Sequence, residues 1–83
     1  MSLGRKVLSD DEWSLFKSRS PLSNREIEVV CGVFDDMGES RIAIDLAISR
    51  HTVNTHIRRI YRKLGVRTRV QLVISVMSLV KNS

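Results

Sequence analysis

The sequence predicts an all-α protein, a small bundle of four core helices preceded by one short extra helix. Three observations predict it. Helix-start signatures recur, with Ser9 followed three residues later by Glu12, Ser23 by Glu26 and Thr68 by Gln71. In that pattern a cap hydroxyl and a third-position side chain each satisfy a backbone donor that the first turn leaves free. Apolar residues after those starts recur at three- and four-residue intervals, the helical period. Pro21, Gly38 and Gly65 fall between the periodic segments, where the chain must turn. At 83 residues the chain makes one domain with a modest core.

The first helix is predicted from about Asp10 to Lys17, with Asp10, Asp11 and Glu12 in the turn where the helix dipole favours anions. Trp13 and Phe16 lie one turn apart on it, half of the chain's aromatic residues. They fit either an element docked on the bundle or a linker whose aromatics pack elsewhere. Residues 1–21 therefore form an N-terminal segment, and residues 22–83 the main domain. In that domain Ser23 starts a helix that runs to about Asp35, with Leu22 placed to staple onto Ile27. Val29, Val30 and Val33 make one stripe, for the main core. Ile27, Cys31 and Phe34 make a second, which would receive Trp13 and Phe16.

Asp35 to Gly38 is a turn, and Glu39 to Ala47 a short helix facing Ile42, Ala43 and Leu46 inward. Ser49 then caps a longer helix that Gly65 ends, Gly being the residue that most readily takes the left-handed conformation. Val53, Ile57, Ile60 and Leu64 line one side of it at about 100° per residue. Its other side gathers His51, Asn54, Thr55, Arg58 and Arg62, flanked by Arg50, Arg59 and Lys63. A short helix, a tight turn and a longer basic helix make a helix-turn-helix. A buried stripe backed by cations, an amide and hydroxyls is what a helix needs to lie in a DNA major groove. Val66 is predicted to plug the core, and a last helix runs from about Arg69 to Val80. Leu72, Val76 and Leu79 suffice to meet the core, which leaves Val70, Ile74 and Met77 over. Contact with a second copy of the chain would cover them, and so would the N-terminal segment.

Charge is distributed unevenly. Residues 1–45 carry six Lys/Arg and nine Asp/Glu, whereas residues 46–83 carry eight Lys/Arg and no acid. One strongly positive face follows, and a polyanion is its natural partner. A membrane surface fits less well, because the basic helix keeps no apolar face once its one stripe is buried. No run of apolar residues is long enough to span a bilayer, and the start has no secretory pattern. A single cysteine, Cys31, forms no internal disulfide and suits a reducing compartment, so a cytoplasmic location is expected. His51 and His56 lie on different faces and Cys31 on another helix. No paired carboxylates, glycine-rich phosphate loop or metal-ligand spacing occurs, so neither an enzyme nor a cofactor is expected.

Leu22-Ser-Asn-Arg25-Glu26-x-Glu28-Val29-Val30, then Ile42-Ala43, Leu46, Ile48-Ser49, Thr52-Val53, His56, Ile60, Lys63-Leu64, Val66 and Arg69 together resemble the DNA-binding domain of LuxR/NarL-type transcriptional regulators. The likeness runs from about Leu22 to Val80 without an insertion. It implies a four-helix domain that binds promoter DNA, usually as a dimer through the final helix and C-terminal to a receiver or ligand-sensing domain. Carried onto this chain, the base-reading positions fall on Asn54, Thr55 and Arg58. The phosphate-binding positions fall around Arg50, Thr52, Arg62 and Lys63, with His51 and Arg59 beside them. The dimer contact falls on Val70, Ile74 and Met77, and RNA polymerase is a further partner. His56 is assigned a structural place. The chain departs from the family pattern at Gly32, where Leu is usual and Phe34 is expected to refill the space. It departs also at Asp36, at Gly38 in place of a Ser or Thr cap, and at Arg41, where an acid is common. Two other readings share the architecture, a protein-docking helix-turn-helix and a promoter-element domain of the sigma-factor kind. The acid-free second half favours DNA over a protein partner.

Overall fold

A computed structural model of the protein describes residues 8–35 and 38–81. Within them five helices follow one another: α1 (Asp10–Arg19), α2 (Asn24–Phe34), α3 (Glu39–Leu46), α4 (Arg50–Leu64) and α5 (Arg69–Lys81). The departure at Asp36, and residues 1–7 and 82–83 of the two predicted segments, lie outside the described residues. The fold is all-helical, as the spacing of the apolar residues predicts.

The starts form as written. Ser9 Oγ accepts from the Glu12 N–H at 3.2 Å while Glu12 Oε1 accepts from the Ser9 N–H at 3.0 Å. Ser23 and Glu26 exchange the same two bonds at 3.2 and 2.9 Å. At the last helix Thr68 Oγ1 accepts from the Gln71 N–H, but the Gln71 side chain reaches one residue further back, to the Arg67 N–H at 2.8 Å. Helix α1 extends two residues past its predicted end. Pro21 restricts only the residue before it, and Ser20 is accordingly extended at ψ 154°, so the helix stops at Arg19.

The core draws on every helix. Val29, Val30 and Val33 of α2 meet Ile42 and Ala43 of α3, Val53 and Ile60 of α4, and Leu72, Val76 and Val80 of α5. Leu8 and Phe16 are fully buried and α1 packs on α5. The Trp13 ring stands edge-on to Phe16 at 5.9 Å and to Phe34 at 5.2 Å, so the second stripe of α2 receives α1 as expected. Arg19 Nη1 donates to the Leu79 carbonyl at 2.9 Å and Lys81 pairs with Glu12 at 3.0 Å, which ties both ends of that contact.

Two expectations change. The space at Gly32 is taken by Ile42, because Phe34 is held by Trp13 on the other side of α2. On α5 the third core position is Val80, one residue beyond Leu79, which is half-buried. Val70 and Ile74 stay exposed at 68% and 59%, while Met77 is half-buried against the core.

Candidate nucleic-acid interface

Helix α4 is set by the turn before it. Ala47 takes the left-handed conformation at φ 55° and its N–H reaches the Ile44 carbonyl, while the Ile48 N–H reaches back to the Ala43 carbonyl at 3.0 Å. These are the two bonds of a Schellman closure, and they stop α3 within one turn. Ile48 turns in toward the core, and Ser49 Oγ then accepts from the Thr52 N–H at 3.0 Å to start α4. The far end closes the same way. Gly65 sits at φ 68° and the Val66 N–H donates to the Tyr61 carbonyl at 2.9 Å. With both ends fixed, α4 packs against α2, α3 and α5. Burial of Val53 and Ile60, with Ile57 and Leu64 half-buried beside them, sets its rotation about its own axis. The opposite side must then face water.

Every residue assigned to bases or phosphates lies on this one helix. Arg50, His51, Arg58, Arg59, Arg62 and Lys63 are exposed, and Thr52, Asn54 and Thr55 are half-buried. Among the described residues no hydrogen bond or ion pair engages the side chains of Arg58, Arg59 or Arg62. The three hydroxyls and amides are more committed. Thr52 Oγ1 lies 2.8 Å from Ser49 Oγ, and Thr55 Oγ1 donates to the His51 carbonyl at 3.1 Å. Asn54 Nδ2 donates to Glu39 Oε1 at 3.3 Å across the turn.

Lys63 has a second task. Its ammonium stands 2.8 Å from Glu26 Oε1, and the Glu26 side chain is 3% exposed. Burial pushes that carboxyl up, but the Lys63 ammonium and the Ser23 N–H together hold it below its ordinary value. Lys63 thus anchors α4 to the start of α2 with one donor, and its 40% exposure leaves the rest of the ammonium open to solvent. Ser23, Glu26, His56, Arg59, Arg62 and Lys63 line a shallow depression there, and His56 Nδ1 is buried without a partner among the described residues.

Sequence reasoning missed Glu39. The carboxylate at the first residue of α3 accepts from Asn54 and lies 3.9 Å from Arg50 Nε, so it faces two assigned side chains. Periodicity within one helix could not place it, because the contact crosses the turn. Among the described residues no group of three or more His, Cys, Asp or Glu side chains is placed to hold a metal ion. No helix there is long and apolar enough to cross a membrane.

A family described as bacterial regulatory proteins, luxR family, matches residues 20–76. Among curated proteins the chain is similar to an HTH-type transcriptional regulator, MalT, of Serratia proteamaculans (strain 568), with 39% identity over 62 residues. That match covers 75% of this chain and 7% of the relative, so the chain spans a small part of the protein it resembles. No solved structure is significantly similar.

Proposed function

We propose, from the premise that this chain belongs to the luxR family of bacterial regulatory proteins, that it binds double-stranded DNA in a sequence-selective way with α4 in the major groove. Transcriptional regulation in the cytoplasm is the use of that binding. The observation that carries the reading is the orientation of α4. Its apolar stripe is buried and Arg58, Arg59 and Arg62 stand together in solvent without acidic partners among the described residues. Asn54, Thr55 and Arg58 face the base edges, with Arg58 suited to guanine and Asn54 to adenine. Arg50, His51, Thr52, Arg59, Arg62 and Lys63 take phosphates, which fix register and carry no sequence information. Two copies join through Val70 and Ile74 of α5, with Met77 contributing its open part. RNA polymerase is a further partner of a regulator so built.

The test is a site selected from random DNA by the protein itself. Arg58→Ala should lose about 1–3 kcal/mol of preference for that site over single-base variants. Arg62→Ala should weaken binding to all duplexes alike and lower the salt slope by about one unit. Equal preference in Arg58→Ala and the parent would remove Arg58 from the base-reading set. A protein that selects no site would end the reading as a whole.

A further inference from the structure

We infer that Glu39 is a positioning residue for base reading, its carboxylate fixing the amide of Asn54 from across the turn. The inference rests on the DNA-binding reading above and names a part of the specificity that lies outside α4. Three observations meet at this residue. Glu39 Oε1 accepts from Asn54 Nδ2 at 3.3 Å, Glu39 Oε2 lies 3.9 Å from Arg50 Nε, and the Glu39 side chain is 37% exposed. Gly38 gives α3 no side-chain cap, so the carboxylate sits by an open helix start yet points across to α4.

The chemistry of the pair decides what it does. An ionised carboxylate only accepts, so it must face the NH2 of Asn54 and not its carbonyl oxygen. That settles which way the amide is turned. An amide has two N–H donors. Adenine takes one of them together with the carbonyl oxygen, and the other is the one Glu39 holds. The amide is therefore presented with its donor and acceptor in fixed places before DNA arrives, which lowers the entropy lost on binding. The same carboxylate is a negative charge beside Arg50 on a face meant for phosphates. It repels any duplex regardless of sequence. Glu39 therefore raises discrimination in two ways, strengthening one base contact and weakening binding to all sequences.

The experiment compares Glu39→Ala, Glu39→Gln, Asn54→Ala and the double variant Glu39→Ala/Asn54→Ala, by fluorescence anisotropy against the site selected by the parent and its single-base variants. Selection by the parent comes first, and its failure would count against DNA reading itself and not against Glu39. Given a selected site, Glu39→Ala should lose about tenfold of the preference at the one base pair that Asn54→Ala affects. Its affinity for scrambled duplex should rise. In the Asn54→Ala background the Glu39 change should leave the preference at that pair unaltered. Glu39→Gln removes the charge and offers a donor as well as an acceptor, so it no longer fixes which way the Asn54 amide is turned; it should gain affinity for scrambled duplex and keep only part of the preference at that pair. Unchanged preference at that pair in Glu39→Ala would overturn the proposal. So would an equal loss at every pair, or the same loss with Asn54 already absent, since a merely structural role for Glu39 would give either result.

Discussion

A Cβ added at Gly32 would stand 2.7 Å from Cγ1 of Ile42, a side chain only 2% exposed. Ile is branched at Cβ and stiff at χ1 in a helix, so it cannot swing aside as a longer chain could. Gly32→Ala should gain about 1 kcal/mol in helix propensity and lose about 1–3 kcal/mol to overpacking. The net expectation is a protein less stable by about 1 kcal/mol in urea unfolding. A gain in stability would show that α3 shifts freely against α2. At Cys31 the same helix turns a thiol toward acids. Burial first, then the charges of Asp35 and Glu28, push it up from 9.0 to about 11. The thiolate is the reactive form, so at pH 8 its fraction should be about a hundredfold below that of an ordinary thiol. Alkylation by iodoacetamide should be slow in the native protein and fast in urea. Equal rates would mean that Cys31 is open and away from those carboxylates.

Among the elements, α1 is where sequence reasoning stopped short. The capping box at Ser9 announced a helix, and Trp13 and Phe16 announced an apolar side, but neither says what that side meets. A linker would carry the same residues. Docking is a tertiary fact, decided by the second stripe of α2 and the apolar breadth of α5. The basic helix α4 was legible to the residue, because its cap, stripe and closing glycine are all local signals. The contacts of Glu39 with Asn54 and of Glu26 with Lys63 were not, because the partners lie fifteen and thirty-seven residues apart. Phe16 is fully buried with the Trp13 ring edge-on to it, so Phe16→Ala should cost about 3–5 kcal/mol. If α1 were an appendage, the change would leave the thermal midpoint of residues 22–83 where it was. The docked helix instead predicts one cooperative transition, moved down.

On the scale of the whole molecule, charge is sorted as well as unequal in number. Seven of the nine acids lie on α1 to α3, and α4 and α5 have none. Three ion pairs bridge the halves with their acid on the early side, Glu12 with Lys81, Glu26 with Lys63 and, at 3.9 Å, Glu39 with Arg50. The Glu26–Lys63 pair holds the C-terminal half of α4 against the start of α2. Burial raises the Glu26 carboxyl, yet Lys63 and the Ser23 N–H outweigh it and the group ends below its ordinary value of 4.5. A carboxyl lowered by folding adds stability above its unfolded value, and that stability is lost as pH falls through the folded one. Urea midpoints of the parent should therefore hold steady from about pH 7 to about pH 5 and fall below that. Glu12 is lowered too, chiefly by the Ser9 N–H and then by Lys81, and would add to the same fall. The contribution of Glu26 is isolated by Glu26→Gln, which should be less stable than the parent at neutral pH and converge on it as pH falls from the ordinary carboxylate value through the lowered folded one. Gln cannot ionise, so its curve should be flatter across that window. Curves that stay parallel down to acid would mean that the Lys63 pair adds nothing to holding α4 in place.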